Sequence, residues 1–374
     1  MIKTDSKSFL RLISLFVAVA ISASISGCQL LNTRTRYTTP VHYTDSFFNT
    51  FDTIVTLVAY TENEDEFDTY YKRVYTRMHE FHRLYDIYND YEGVNNIKTI
   101  NDNAGVKPVK VNQEIIDLIL FSKDWYRRTG GKVNIAMGAV LRIWHEYRQE
   151  GLDDPASAKL PPMETLQEAA KHTDIDKVVV DTVNNTVYLD DKEMRLDVGA
   201  VAKGYATEMV AQEIMAMGLK SGMLSSGGNI RAIGKPLDGL RARWGVGVQD
   251  PRQSIVSEQG LLDVLYFNDG SAASSGDYQR YYTVEGKRYH HIIDPETLMP
   301  AEYYRAVTVV TEDSGVADFM STTLFLLPYT EGKSLVDDLD GVEALWVMVD
   351  GKIEASDGMK LIMKSQGATG KEPK

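Results

Sequence analysis

Short segments of strand character, separated by glycine turns, fill the second half of the chain and constrain its fold more than any other feature. They stand at 222–225, 229–233, 244–248, 262–267, 280–284, 288–293 and 305–311. Strands that follow one another through short turns pair with antiparallel neighbours, because a parallel pair needs a long crossover connection. The second half therefore predicts a mainly antiparallel sheet.

Helices and further strands are predicted around these segments. Apolar residues recur at helical spacing from Asp65 to Tyr85, which indicates an amphipathic helix. Other helices are predicted at 113–128, 204–217 and 315–327, and other strands at 53–60, at 343–350 and in a hairpin at 177–189. Ser314 can cap the helix at 315–327. Strands in succession, with helices between some of them, favour an α+β fold.

The N-terminus has the charge order of a secretory signal. Three basic side chains precede an apolar run at 12–25, which ends on small residues and then on Cys28. The segment resembles the lipobox of bacterial lipoproteins, whose cysteine receives a diacylglyceryl thioether. An ordinary secretory signal with an incidental cysteine is the alternative. The resemblance implies a protein anchored by acyl chains to the extracytoplasmic face of a membrane.

Boundaries follow from this N-terminus and from composition. We predict a signal peptide at 1–27, lipidated Cys28 with a flexible polar tether at 28–45, a single functional domain at 46–360 and a loose polar tail at 361–374. Cys28 is the sole cysteine, so the domain is stabilised by its core and not by disulfides. The net charge of −13 argues against nucleic acid as a partner.

Four stretches carry residues of chemical interest. They are LDVGAVAKGY at 196–205, SSGGNIRAIG at 225–234, SAASSGDYQRYY with HHIIDP at 271–282 and 290–295, and VADFMSTTLFLL at 316–327. Lys203, beside a helix start, can attract phosphate. Asp318 and Thr322 share one helix face and suit Mg²⁺, which prefers oxygen ligands. Each stretch taken alone is more often structural than functional.

Together and in this order, the stretches resemble the FAD:protein FMN transferases, the ApbE-like flavin transferases, over most of residues 48–358. WGVGVQDP and GKRYHHIIDP also fall in the family's order. The resemblance implies a two-lobed α+β fold related to the tunnelling fold. It also implies a Mg²⁺-dependent reaction with FAD as substrate. FMN passes to a threonine or serine hydroxyl of a target protein, and AMP leaves. Extracytoplasmic electron-transfer proteins are the implied acceptors.

The resemblance also implies roles for individual residues. The metal ligands are the backbone carbonyl of Ala200 and the side chains of Asp318 and Thr322. His291 is the catalytic base, with Asp277 as the alternative, and Lys203 meets the pyrophosphate. The implied FAD-binding residues are Phe51, Tyr88, Lys132, Val133, Asn134, Asp197, Lys203, Ser275, Ile292 (through its backbone) and Ser321.

Three departures from the family pattern leave other functions open. Lys132, Val133 and Asn134 replace the usual alanine, phenylalanine and aspartate. The stretch 51–53 reads Phe-Asp-Thr instead of Met-Gly-Thr, and Leu298 replaces a glycine. A Mg²⁺-dependent FAD pyrophosphatase and a non-catalytic FAD-binding lipoprotein are therefore the alternatives.

Overall fold

One large antiparallel sheet joins the strands of the second half to two strands from the N-terminal part. The computed structural model describes residues 40–253 and 260–371. The strands are Val41–Thr50 (β1), Thr53–Thr61 (β2), Val109–Lys110 (β3), Val178–Asp181 (β4), Thr186–Leu189 (β5), Gly222–Ser226 (β6), Asn229–Ile233 (β7), Trp244–Gln249 (β8), Leu261–Phe267 (β9), Ser271–Gly276 (β10), Tyr281–Val284 (β11), Lys287–His290 (β12), Tyr304–Thr311 (β13), Glu343–Met348 (β14) and Ile353–Ala355 (β15). In the part of the chain described, the large sheet has the order β1-β2-β6-β7-β10-β13-β14-β15.

The helices connect and cover these strands. They are Glu64–Tyr85 (α1), Ile97–Asp102 (α2), Gln113–Arg128 (α3), Gly138–Asp153 (α4), Met163–Ala170 (α5), Ala202–Ala216 (α6), Ser314–Phe325 (α7), Tyr329–Asp337 (α8) and Asp357–Ile362 (α9). Helix α7 is buried on nearly all sides, with Phe319, Met320 and Leu324 fully enclosed. It packs against β10 and β13 at the centre of the large sheet and against α6, so the sheet fixes the position of both helices.

Three smaller sheets and a separate apolar cluster complete the domain. The small sheets are β3-β5-β4, β8-β9 and β11-β12. The apolar cluster joins α4 and α5 to β11 and to the loop after β12, through Trp144, Leu166, Tyr282 and Leu298. This cluster matters for the site because it ties helix α4 to the HHIIDP segment.

The predicted α+β class with mainly antiparallel sheets is confirmed. Residues from Pro40 onward form one compact unit, so the two lobes implied by the resemblance do not separate into independent domains. The predicted signal peptide and Cys28 lie outside the described residues. Among the helices of residues 40–253 and 260–371, none has the length and apolar character to cross a membrane.

Two predicted boundaries are wrong at the ends of the domain. Strand β1 begins at Val41, inside the predicted tether, and pairs with β2 along most of its length. The predicted tail is held to the domain as far as it is described. The backbone N–H of Ser365 donates to Asp263 at 3.1 Å, and the carbonyl of Gly370 accepts from Ala242 at 2.6 Å. Polar composition does not reveal either segment, because both are ordered by hydrogen bonds to distant residues: backbone pairing with β2 for β1, and contacts with Asp263 and Ala242 for the tail.

Two local predictions in the second half are also wrong. Asp313, and not Ser314, caps α7, because its carboxylate accepts from the N–H groups of Gly315 and Val316 at 2.7 and 3.0 Å. The strand predicted at 288–293 ends at His290, and the chain forms a bend at His291.

Candidate active site

The carboxylate of Asp318 lies at the contact between helices α6 and α7. Its Oδ2 accepts the backbone N–H of Gly204 at 2.8 Å, and its Oδ1 lies 3.7 Å from Lys203 Nζ. Gly204 is required at this contact. A Cβ there would overlap the Ser314 carbonyl oxygen and Asp318 Cβ. The helices therefore meet backbone to backbone, and the free N–H at the start of α6 reaches the carboxylate.

Asp318 is a buried acid whose charge is incompletely balanced. Burial raises its pKa, while Lys203, the Gly204 N–H and the nearby Asn229 side chain act in the opposite direction. The Asn229 side-chain nitrogen and the Ser226 hydroxyl are buried without a hydrogen-bond partner of good geometry. Buried polar groups without partners are rare, and they indicate a bound ion, water or ligand. The Asn229 nitrogen can only donate, so it suits an oxygen atom of a ligand or of Asp318; the incompletely balanced Asp318 carboxylate is the group that favours a cation here.

Three hydroxyls extend this site toward the sheet. Ser275, on β10, places its Oγ 2.9 Å from Ser321 Oγ and 3.1 Å from Thr322 Oγ1. Ser321 Oγ also donates to the Asp318 carbonyl at 2.9 Å. The cluster is thus held by hydrogen bonds between β10 and α7.

These oxygen atoms fit Mg²⁺, which binds carboxylate, hydroxyl and carbonyl oxygens and keeps waters or phosphate oxygens as its other ligands. The predicted ligand Ala200 lies two residues before α6, in the turn that leads into the helix, and Lys203 is the second residue of that helix. No group of three or more His, Cys, Asp or Glu side chains suited to a metal occurs in the described ranges. The cation at this site would therefore depend on neutral oxygens and on the substrate for most of its ligands.

Asp197 is held where the DVGA segment meets helix α4. Its backbone N–H donates to Ile135 at 2.8 Å, and its Oδ1 accepts the N–H of Gly199 at 2.9 Å. Next to it, the buried Asn101 side chain binds both backbone groups of Leu196, at 2.6 and 3.0 Å. These bonds hold the segment rigidly, and burial raises the pKa of Asp197 although the residue stays partly exposed.

The adjacent histidines have different environments. His290 is buried, and both ring nitrogens have partners: Nε2 lies 2.7 Å from the Ala301 carbonyl, and Nδ1 accepts the Ile292 N–H at 3.2 Å. His291 reaches the surface, and its Nδ1 lies 3.2 Å from the Arg280 carbonyl. A carbonyl can only accept, so this contact assigns the proton to Nδ1 and leaves Nε2 with a free lone pair.

The neutral form of His291 is further favoured by its surroundings. Burial and the charges of Arg280 and Arg148 lower its pKa to about 3. The imidazole is therefore uncharged at neutral pH, and its Nε2 lone pair is unprotonated. The alternative base, Asp277, accepts a hydrogen bond from Arg305 at 2.9 Å. Its carboxylate is therefore already engaged in an ion pair.

The aromatic ring of Tyr88 belongs to a group that the sequence reasoning missed in part. The ring lies 5.1 Å from that of His145, whose Nδ1 is 2.9 Å from Arg148 Nη2. Charges of Asp197, Arg148 and Arg280 all act on the pKa of Tyr88, which burial raises to about 12. His145 and Arg148 lie three apart on α4, and that spacing in WHEYR is the signal that could have identified them.

Phe51 occupies a strained turn between β1 and β2. Phe51 and Asp52 have φ values of 51° and 53°, as in a type I′ hairpin turn, where glycine or asparagine is usual. The Phe51 N–H donates to His82 Nδ1 at 3.2 Å, and the two rings contact edge to face. Strain of this kind persists where neighbouring contacts enforce it.

The other predicted FAD-binding residues have structural partners. Lys132 pairs with Glu296 at 2.8 Å, Val133 is buried, and the Asn134 side chain binds the Thr173 carbonyl and the Ala136 N–H at 2.8 Å each. The backbone N–H and carbonyl of Ile292 bind His290 and Ala301. The side chains at 132–134 therefore support the fold, and a ligand contact there would use their backbone.

Comparison with known proteins gives consistent matches. The sequence profile of the ApbE family matches residues 51–346. The FAD:protein FMN transferase of Treponema pallidum (strain Nichols) is 32% identical over 275 residues, which cover 70% of this chain and 73% of that protein. The Haemophilus influenzae protein of the same name is 28% identical over 331 residues, covering 85% and 87%. The crystal structure of the ApbE protein from Thermotoga maritima superposes with a TM-score of 0.75, at 29% identity, over 86% of this chain and 99% of that one.

Proposed function

Because the chain belongs to the ApbE family, we propose that it is an FAD:protein FMN transferase. It would move FMN from FAD to a threonine or serine hydroxyl of a partner protein and release AMP. The observation that carries this proposal is the buried, undercompensated carboxylate of Asp318 beside Lys203 and the start of α6. Such a site favours a cation and an anionic substrate together.

We propose that Asp318, Thr322 and the Ala200 carbonyl hold Mg²⁺. The bound ion supplies charge neutralisation for the pyrophosphate, whose negative oxygens otherwise repel a nucleophile. Lys203 contributes a second positive charge at the same place. Ser275 holds the Thr322 hydroxyl by a hydrogen bond, and Ser321 in turn binds the Ser275 hydroxyl.

His291 is the proposed base. The acceptor hydroxyl gives its proton to the free Nε2, and its oxygen forms a bond to the phosphorus of the FMN half. The bond between this phosphorus and the bridging oxygen breaks, and AMP leaves with that oxygen. The Arg280 carbonyl, which binds Nδ1, keeps the ring in the orientation and tautomer that this transfer needs.

We also propose that the reaction takes place at a membrane surface. Anchoring through lipidated Cys28 would place the domain on the extracytoplasmic face of a membrane, where electron-transfer proteins are the acceptors. The support is the lipobox-like sequence that ends at Cys28.

The test incubates the purified full-length chain with FAD, Mg²⁺ and a threonine-containing acceptor and follows acceptor mass and free AMP. We expect the acceptor to gain one FMN and AMP to appear in equal amount. Asp318→Asn should reduce this rate by at least about 100-fold, since charge stabilisation of this kind contributes several kcal/mol. Asp337→Asn, which removes an exposed carboxylate of α8 paired with Lys333, is the control and should keep the rate.

Three other results would contradict the proposal. Free FMN and AMP with an unmodified acceptor would identify an FAD pyrophosphatase. Tight FAD binding without any cleavage would identify a binding protein. A near-normal Mg²⁺-dependent rate in Asp318→Asn would show that the metal is held elsewhere.

A further inference from the structure

We infer that Asp86, Tyr91 and His82 are positioning residues for FAD. They form a chain of hydrogen bonds, the Asp86 relay, that joins the turn carrying Phe51 to the loop carrying Tyr88. The relay sets the two aromatic residues relative to each other, so that they form one platform for a planar ring of the dinucleotide. This inference rests on the proposed FAD-dependent function and adds three residues to it.

The turn between β1 and β2 is held from outside the hairpin. Phe51 and Asp52 form its two-residue loop, since Thr50 pairs with Thr53, and their φ values are 51° and 53°. Such backbone angles are unfavourable for residues with a side chain and persist where neighbouring contacts enforce them. Here the contacts come from His82 of α1. Its Nδ1 accepts the Phe51 N–H at 3.2 Å, and the two rings meet edge to face with centroids 5.6 Å apart.

The loop after α1 is held by the carboxylate of Asp86. Its Oδ1 accepts the backbone N–H of Tyr88 at 2.6 Å and that of Asn89 at 3.1 Å. Its Oδ2 accepts the Asn89 side-chain amide at 3.0 Å and the Tyr91 hydroxyl at 2.7 Å. Burial acts against the charge of Asp86, but these hydrogen bonds lower its pKa. A buried, ionised carboxylate therefore fixes the backbone of this loop.

The two supports meet at the Tyr91 hydroxyl. Because His82 Nδ1 accepts the Phe51 N–H, the proton of the neutral imidazole lies on Nε2, which is 3.4 Å from the Tyr91 oxygen. Nε2 thus donates to Tyr91, and Tyr91 donates to Asp86. Burial lowers the pKa of His82, which favours this neutral ring. Every hydrogen bond of the relay then has the same direction, from the Phe51 backbone to the Asp86 carboxylate.

The turn also adjoins the Asp318 site. A Cβ at Gly227 would stand 2.3 Å from Thr53 Oγ1, and the Gly227 N–H donates to the Ile54 carbonyl at 3.1 Å. Gly227 precedes Asn229 by two residues, and the Asn229 side chain lies near Asp318. A planar ring on the turn and a pyrophosphate at the Asp318 site can therefore belong to one dinucleotide.

The ring of Tyr88 needs such support because its own packing is slight. Tyr88 is 57% exposed, whereas Tyr85 at the end of α1 is 4% exposed. The direction of an exposed ring depends mainly on the backbone that carries it, and Asp86 holds that backbone. A planar ligand binds an aromatic face at lower cost when the face is already in place. The relay therefore contributes preorganisation and not a contact with FAD.

The experiment measures binding and transfer in the purified full-length chain with variants that each remove one link. Tyr91→Phe removes a hydroxyl and keeps the ring, and His82→Leu removes both ring nitrogens. Dissociation constants of FAD, FMN and ADP are measured by equilibrium dialysis. We expect FAD affinity to fall about 5-fold in Tyr91→Phe and about 10-fold in His82→Leu, the size of one hydrogen bond or slightly more. The kcat should stay within about twofold of wild type, because the relay contacts neither the pyrophosphate nor the acceptor hydroxyl.

Two further variants separate positioning from a general loosening of the fold. His82→Asn keeps a side-chain oxygen that can accept the Phe51 N–H, so it should recover part of the affinity lost in His82→Leu. With Phe51→Ala and Tyr88→Ala both present, Tyr91→Phe should change FAD affinity by less than about twofold, since the rings that it positions are gone. A parallel loss of FMN affinity would assign the flavin ring to the platform, and a parallel loss of ADP affinity would assign the adenine ring.

Tyr70→Phe is the matched control. Tyr70 is a buried residue of α1 whose hydroxyl donates to Glu66 at 3.3 Å, so the change removes the same group outside the relay. FAD affinity should stay within about twofold of wild type. Melting curves of both tyrosine variants show whether a difference in FAD affinity follows a difference in stability.

Three results would overturn the inference while leaving the transferase function intact. The first is unchanged affinity for FAD in Tyr91→Phe and His82→Asn. The second is an equal loss of affinity in Tyr70→Phe. The third is an undiminished effect of Tyr91→Phe when both aromatic rings have been removed. Conversely, the expected losses of FAD affinity in a chain that never transfers FMN would support the relay and contradict the transferase function.

Discussion

At the scale of single residues, His290 and His291 differ because one ring has partners at both nitrogens and the other has a partner at one. His290 links the end of β12 to Ala301 and Ile292, and it packs edge to face on Phe325. His291 keeps one nitrogen free at the surface. Sequence alone indicates that adjacent strand residues face opposite ways, but it does not say which one faces the substrate.

The low pKa of His291 predicts a pH dependence of stability. In the folded protein its pKa is lowered to about 3, whereas an unfolded histidine takes up a proton below about 6.5. Between these values the unfolded state binds more protons, so stability falls as the pH falls. We expect His291→Asn to reduce the loss of Tm between pH 7 and pH 4.5.

The measurement compares melting curves of the wild type and the variant across this range. His42→Asn, on the edge strand β1, is the control and should follow the wild-type curve. Identical pH dependence in wild type and His291→Asn would show that His291 is protonated at its ordinary pKa.

Leu298 gives a second prediction at this scale. Its φ of 60° lies in the region that favours glycine, yet its side chain is buried and its carbonyl accepts from Trp144 Nε1 at 3.0 Å. Leu298→Gly relieves about 1 kcal/mol of backbone strain but loses about 2–5 kcal/mol of burial. We expect a net loss of about 1–4 kcal/mol in denaturant unfolding.

Leu298→Met, which keeps the volume, should lose less than about 1.5 kcal/mol. If the glycine variant proves more stable than the wild type, backbone strain outweighs burial at this turn.

At the scale of elements, the contact between α6 and α7 decides whether the site exists. Gly204→Ala places a Cβ against the Ser314 carbonyl and Asp318, so the helices must move apart and the Gly204 N–H leaves the carboxylate. We expect a loss of about 1–3 kcal/mol in stability together with weaker Mg²⁺-dependent FAD cleavage.

The matched control is Gly332→Ala in α8, where the nearest atom to the new Cβ, Leu324 Cδ2, lies at an ordinary 3.4 Å. It should gain up to about 1 kcal/mol because alanine favours helix. Unfolding curves and the rate of AMP release measure both effects. Normal activity in Gly204→Ala would mean that the helices tolerate a wider separation.

Local patterns predicted some elements and missed others for physical reasons. The helix from Asp65 to Tyr85 was predictable because its apolar face repeats. Strand β10 was missed because SAASSG has little β propensity; it forms at the centre of the sheet by pairing with β7 and β13. Helix α4 was missed as well, and it carries His145 and Arg148.

The site was predictable only where its residues lie within one local segment. Asp318 and Thr322 follow from helical spacing within one segment. The contacts of Ser275 with Ser321 and of Asn101 with Leu196 join segments 46 and 95 positions apart in the chain, and no local pattern contains them. These contacts form through tertiary packing and could not be predicted from the sequence.

At the scale of the whole molecule, the chain combines an acidic domain with a proposed lipid anchor. We expect Cys28→Ala to remain unprocessed or to appear in the soluble fraction, because the thioether bearing the acyl chains cannot form. Metabolic labelling with a radioactive fatty acid and fractionation of cells measure this. Ser26→Ala, which keeps a small residue before the cysteine, is the control. Lipid label on the Cys28→Ala protein would rule out this anchor.

The glycine at the crossing of α6 and α7 has one more consequence. The Gly204 N–H that binds Asp318 belongs to the close backbone contact between α6 and α7. The geometry around Asp318 is therefore lost only when this contact between the two helices opens. We therefore expect heating to abolish activity and the folded structure in the same cooperative transition, without a folded but inactive intermediate.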